Sequence, residues 1–111
     1  MIANKLFMAL GAPGGGRIIT GVLQVILNVL DFKMNIQEAI DFPRVHHQWK
    51  PDEIYVENGA SPDTVAALRA MGHKVVFPGY ADGLVEGIVI DEGWLQGGAE
   101  IRSVQSKAKG Y

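Results

Sequence analysis

The stretch Leu6-Phe7-Met8-Ala9-Leu10-Gly11-Ala12-Pro13-Gly14-Gly15-Gly16-Arg17-Ile18-Ile19-Thr20 changes character twice. Leu6 to Leu10 is a short apolar run closed by glycine, which predicts a buried strand. Gly11 to Gly16 predicts a turn, because glycine tolerates backbone angles closed to other residues. From Arg17 to Asp31 the period becomes helical. Arg17, Thr20, Gln24, Asn28 and Asp31 recur at spacings of three and four, so they form one narrow polar stripe. Apart from Gly21, the rest of that helix is Ile, Val or Leu. A helix so nearly apolar is buried on most sides. The remainder of the chain can cover one side, so the helix expects neighbours that these residues do not supply.

Working outward, Asn35 and Glu38 form a capping box ahead of a short helix, Ile36 to Asp41, which stops before Pro43. Arg44 to Asp52 reads as an ordered polar and aromatic loop, and Ile54 to Glu57 as a strand. Ser61-Pro62-Asp63 is a helix start with serine at the cap and proline at the first position. That helix runs to Met71 and ends at Gly72. His73 to Phe77 is a strand, Pro78 to Gly83 a loop, and Leu84 to Asp91 pairs with Trp94 to Gln96 across Asp91-Glu92-Gly93. Ile101 to Tyr111 is a polar, irregular tail. The order mixes helices and strands without a regular βαβ alternation.

At 111 residues the chain fits one domain, residues 1–111. A formal charge of −2 gives no broad attraction for nucleic acid or anionic lipid. There is no cysteine, which removes disulfides, thiolate metal sites and cysteine nucleophiles together. The apolar stretch Ile18 to Leu30 falls short of the roughly 20 residues that span a bilayer, and Thr20, Gln24 and Asn28 interrupt it. The opening Met1 to Lys5 is a poor signal peptide. The compartment stays open.

The Gly11 to Arg17 turn admits several chemistries. A Walker phosphate loop needs a terminal Gly-Lys-Ser/Thr, which is absent. The dinucleotide fingerprint needs a third glycine where Ile18 and Ile19 stand. Two readings remain: a tight structural turn, or an anion or oxyanion site built of main-chain amides at a helix N-terminus.

The segment Gly11-Ala12-Pro13-Gly14-Gly15-Gly16-Arg17-Ile18-Ile19-Thr20 resembles Gly-Ser-Pro-Gly-Gly-Ser-Arg-Ile-Ile-Thr of the γ-glutamyltranspeptidases. The resemblance continues in register through Asn28-Val29-Leu30-Asp31, Pro43-Arg44-Val45-His46-His47-Gln48-Trp49, Ser61-Pro62-Asp63-Thr64 and Arg102-Ser103-Val104 to Gly110-Tyr111. It implies an α+β fold: part of the αββα sandwich of N-terminal-nucleophile (Ntn) hydrolases, a mixed sheet with packed helices. It also implies a precursor that cleaves itself into two subunits, the new N-terminal threonine attacking the γ-glutamyl amide of substrates such as glutathione. By the same resemblance Gly14 and Gly15 supply the oxyanion-hole amides, at once catalytic and substrate-binding. No metal or cofactor is implied. The partners would be the upstream part of the small subunit and the large subunit.

The family's nucleophile lies upstream of this turn, in a Thr-Thr-His context. The two threonines present, Thr20 and Thr64, sit inside predicted helices. The chain alone is therefore expected to be inactive, as from a truncated or split reading frame. Gly16 replaces a usual serine, Leu84-Val85-Glu86 a small polar stretch, and Glu100-Ile101 an Asp-Pro. A second reading is a free-standing, non-catalytic module that self-associates through Val22, Ile26 and Val29, or binds an anion between Gly14 and Arg17.

Among the other polar residues, His46 and His47 point apart in an extended segment and lack a third ligand, which favours structural hydrogen bonding over metal. His73 reads as a surface or packing residue. Asp52-Glu53 reads as a solvated turn or a salt bridge to Arg44. Arg17 and Arg102 read as members of structural ion pairs, with anion binding as the rival role.

Overall fold

A computed structural model describes residues 7–13, 15–77, 84–103 and 106–109. The elements run β1 (Met8–Gly11), α1 (Arg17–Leu30), α2 (Ile36–Asp41), β2 (Val45–His46), β3 (Ile54–Val56), α3 (Pro62–Ala70), β4 (Val75–Val76), β5 (Glu86–Asp91) and β6 (Trp94–Gly98). Leu6, Gly14 and the Pro78 to Gly83 loop lie outside the described residues.

Two three-stranded sheets form. The first, in the order β1-β5-β6, is antiparallel throughout, with Gly11 opposite Glu86 and Asp91 opposite Trp94. The second, β2-β3-β4, is mixed: β2 and β3 are antiparallel, β3 and β4 parallel. The segment read as a loop from Arg44 thus contains a short strand, because the Val45 and His46 backbone finds Val56 and Tyr55 beside it. The strands around Val75 and Glu86 are shorter than their apolar runs suggested, since pairing ends where the neighbouring strand does.

Each sheet has its own core. Val25, Ile36, Ala39, Ile40, Val85 and Val89 bury together between the first sheet and helices α1 and α2. Val56, Val65 and Val75 bury between the second sheet and α3. α2 approaches the first sheet closely because Gly87 and Gly98 face it. A Cβ on Gly98 would lie 2.6 Å from Ile40 Cδ1 and 3.0 Å from Ile36 Cγ1. The opposite face of this sheet carries half-exposed Ile88, with Leu95 and Trp94 exposed nearby.

α1 is turned unusually. Its buried line is Gly21, Val25 and Asn28, and the middle of the polar stripe, Thr20, Gln24 and Asn28, turns toward the molecule while Asp31 stays exposed. Gln24 Nε2 donates to Val45 O at 2.7 Å, and Gln24 Oε1 accepts from Val45 N–H at 2.8 Å, so the side chain pairs with the edge of β2 as a strand would. Asn28 Nδ2 donates to Ala39 O at 3.2 Å. Asn28 thus satisfies a buried carbonyl, while Gln24 satisfies the exposed edge of β2. Outward go Ile19, Leu23, Leu27 and Leu30, 75%, 50%, 38% and 43% exposed. Val22 and Val29 pack against the core and Ile26 is half-buried, so the apolar face lies elsewhere than at the Val22, Ile26 and Val29 positions expected for self-association.

Candidate functional site

β1 delivers the chain to the glycine turn and α1 carries it away. Gly15 takes φ +60°, a left-handed conformation that favours glycine, and Gly16 then adopts helical angles. Ile18 N–H donates to Gly15 O at 3.2 Å, closing the first turn. Gly15 and Gly16 are exposed, and among the described residues neither of their N–H groups has a hydrogen-bond acceptor. No side chain caps the helix and no acid stands in its first turn. The start of α1 is left electropositive with donors on exposed residues, an arrangement that can hold an anion. Gly14, the other glycine expected at the site, lies outside the described residues.

Beside the turn, Leu84 N–H donates to Pro13 O at 3.3 Å. A cleft of about 660 Å³ opens there, lined by Gly11, Pro13, Leu84, Glu86, Ser103 and Lys107 among others. Its walls carry both signs of charge, from Glu86 and Lys107.

Behind the turn lies a polar layer contributed by β2, β3 and the loop that follows β2. The Arg17 guanidinium rests over the Tyr55 ring, 4.7 Å from its centroid, so the contact described for this cation is an aromatic face. Tyr55 stacks in turn on His46, with centroids 6.1 Å apart and planes 20° from parallel. His46 is buried, with Nδ1 2.5 Å from Thr20 Oγ1 and Nε2 2.9 Å from Gln48 Oε1. His47 points away and pairs with Asp52 Oδ1 at 3.0 Å. The two histidines diverge, and among the described residues no group of three or more His, Asp or Glu could hold a metal.

A second cluster joins the two sheets. Glu100 is 1% exposed; its carboxylate accepts from Arg44 Nη2 at 3.0 Å, Arg102 Nη1 at 2.6 Å and Val85 N–H at 2.7 Å. Arg102 also donates to Glu57, at 2.5 and 2.6 Å, and Arg44 N–H donates to Glu57 at 2.8 Å. Both guanidinium groups donate to Ile40 O at 2.8 Å, so two cations meet the C-terminal end of α2, where its dipole favours them. Burial lowers the Arg44 pKa, helped by the neighbouring Arg102 charge and opposed by Glu100. Burial alone would raise the pKa of Glu57, but hydrogen bonds from Arg102 and the Arg44 amide, with both cationic charges, leave it lowered. The expected Arg44 partners are corrected here: Glu53 pairs with Lys74 at 2.8 Å and Asp52 with His47, while Arg44 reaches Glu100, 56 residues away. Neighbours in sequence gave no signal for that pairing. Arg102 is an ion-pair member as read.

Thr20 and Thr64 lie within α1 and α3, each preceded by helical backbone, so neither is positioned as a chain-terminal nucleophile. Two contributors were not legible in the sequence. His46 meets Thr20 across 26 residues, and Glu100, noted in the sequence only as part of the Glu100-Ile101 departure, is enclosed by the fold.

The Gamma-glutamyltranspeptidase family profile matches residues 1–110. The glutathione hydrolase proenzyme of Escherichia coli (strain K12) is 45% identical over 109 residues, 97% of this chain and 19% of the proenzyme. An acivicin-inhibited γ-glutamyltranspeptidase superposes with a TM-score of 0.87 at 41% identity, over 94% of this chain and 57% of that one. A mutant of the Helicobacter pylori γ-glutamyltranspeptidase gives 0.86 at 41% identity, over 93% and 57%. The chain thus spans about a fifth of the length of the E. coli proenzyme.

Proposed function

The chain belongs to the γ-glutamyltranspeptidase family and carries part of its Ntn-hydrolase fold, and from that premise we propose that it supplies the oxyanion-stabilising turn of an enzyme that moves a γ-glutamyl group to water or an amine. The observation that carries the reading is exposed Gly15, whose N–H has no acceptor among the described residues, at the start of a helix with no capping side chain and no acid in its first turn. Residues 1–111 act as one unit in this reading, with Gly14 and Gly15 as the amides that face the substrate.

The step these amides serve is addition to a carbonyl. A threonine hydroxyl from elsewhere in the enzyme forms a bond to the γ-carbonyl carbon, and its proton passes to the leaving amine. The carbonyl oxygen becomes an oxyanion, held by the glycine N–H groups. When the oxyanion collapses, the C–N bond breaks and an ester remains. Water or an acceptor amine then adds to the ester carbon, using the same amides, and its proton passes to the threonine oxygen as the ester C–O bond breaks. Such donors are fixed before the reaction, and each is worth about 3 kcal/mol of barrier lowering. The chain's own threonines do not enter, and the chain alone turns over nothing.

The remaining family portions, the upstream part of the small subunit and the large subunit, are the proposed partners. They would cover Ile19, Leu23, Leu27 and Leu30 on α1. The same exposed face favours one second reading, a non-catalytic module that pairs with a copy of itself.

The test replaces the matching stretch of the E. coli glutathione hydrolase proenzyme with residues 1–110. The grafted protein should process itself and release p-nitroaniline from γ-glutamyl-p-nitroanilide. Gly15→Ala in it should lower kcat by about 100-fold or more with little change in KM. That change forces a side chain into a left-handed conformation and shifts the amide, at about 1–2 kcal/mol of strain. Turnover by the 111-residue chain alone, or a processed Gly15→Ala graft with unchanged kcat, would defeat the proposal. Sedimentation of the chain as a stable dimer, together with an inactive graft, would favour the second reading.

A further inference from the structure

We propose that His46, as the neutral Nε2–H tautomer, is the positioning residue that sets the glycine turn; this rests on the reading of that turn as the oxyanion site. The tautomer follows from the partners. Gln48 Nε2 donates to Lys50 O at 2.9 Å, which directs Gln48 Oε1 toward His46 Nε2, 2.9 Å away. An amide oxygen only accepts, so Nε2 carries the proton. In the neutral ring Nδ1 keeps its lone pair, and the Thr20 hydroxyl 2.5 Å away donates to it. The competing acceptor for that hydroxyl, Arg17 O, stands farther off at 3.4 Å.

The imidazole therefore links two elements that flank the turn. Through Thr20 it grips the first turn of α1. Through Gln48 it grips the loop whose amide oxygen packs against Gly16, 3.6 Å from where a Cβ would stand. Its own place is set by Tyr55, which stacks on its face and also receives Arg17. Donors that meet a developing charge must be placed within a fraction of an ångström, and errors of about 1 Å cost about 100-fold in rate. A buried ring with both nitrogens engaged provides that placement. No substrate contact is assigned to His46, which acts through the turn.

The first test uses the 111-residue chain. Long-range ¹H–¹⁵N correlation spectra should show His46 with a protonated Nε2 and a bare Nδ1. A protonated Nδ1 at neutral pH would overturn the proposal without any variant being made. The second test uses the grafted enzyme. His46→Asn keeps a group near Nδ1 and loses the reach to Gln48. It should lower kcat by about 10-fold with KM within about twofold. Gln48→Leu, which removes the acceptor for Nε2–H, should behave like His46→Asn. In a Gly15→Ala background the His46→Asn loss should largely vanish, because both act on the same turn. Full additivity of the two losses would overturn the inference, as would a folded His46→Asn enzyme with unchanged kcat. If Gly15→Ala itself leaves kcat unchanged, the oxyanion reading fails instead.

Discussion

Glu100→Ala removes the carboxylate at the junction of the two sheets, and its cost follows from what is left behind. Arg44, 1% exposed, loses the charge 3.0 Å from its Nη2 and remains enclosed. Val85 N–H, buried beside it, loses its 2.7 Å acceptor. Breaking a buried pair from one side costs about 3–5 kcal/mol, since an uncompensated charge stays inside. The orphaned amide alone would account for about 1–3 kcal/mol, and it overlaps that figure rather than adding to it. For a chain of this length, with about 2.1 cal/mol/K of unfolding entropy per residue, 3–5 kcal/mol lowers Tm by roughly 13–21 °C. Thermal and urea unfolding followed by circular dichroism would read this. Lys74→Ala serves as the control, because the Lys74–Glu53 pair is largely exposed on the lysine side and solvent screens it. Glu100→Gln should fall between, keeping an acceptor for Val85 N–H but losing the charge. A Glu100→Ala protein melting within a few degrees of the parent, no worse than Lys74→Ala, would refute the claim that this cluster ties the sheets together.

Acid should weaken the same junction through Glu57. Its pKa is lower folded than unfolded, so its contribution is full above the ordinary value of 4.5 and is lost as pH falls through the depressed folded value. Urea midpoints should drop below about pH 4.5, and Glu57→Gln should flatten that slope while lowering stability at pH 7. Leu23→Glu with Leu27→Lys should leave unfolding nearly unchanged and weaken any pairing of chains measured by sedimentation, since both residues lie on the outward face. Val25→Ala, at a fully buried site, should cost about 2 kcal/mol instead. Gly98→Ala should destabilise by about 1–3 kcal/mol, because its Cβ meets Ile36 and Ile40 and α2 must retreat.

What the sequence by itself determined was whatever depends on residues three or four apart. Asn35 accepts from Glu38 N–H at 2.8 Å, the first bond of a capping box, while the Glu38 carboxylate accepts from the Asn35 side-chain amide. α2 spans Ile36–Asp41, and α3 starts at Pro62, because those signals are local. The glycine turn and the hairpin across Asp91-Glu92-Gly93 were legible for the same reason, Glu92 and Gly93 both taking positive φ. The spacing of Arg17, Thr20, Gln24, Asn28 and Asp31 made a stripe visible but could not say which way it faces. That was decided by the edge of β2 and the end of α2, whose backbone groups needed partners and drew Gln24 and Asn28 inward. Tertiary structure likewise chose Glu100 for Arg44 and Thr20 for His46, across 56 and 26 residues. Nothing in a local pattern encodes such a pairing: it exists only once the packed sheets have excluded water and each buried polar group must find its partner within the fold.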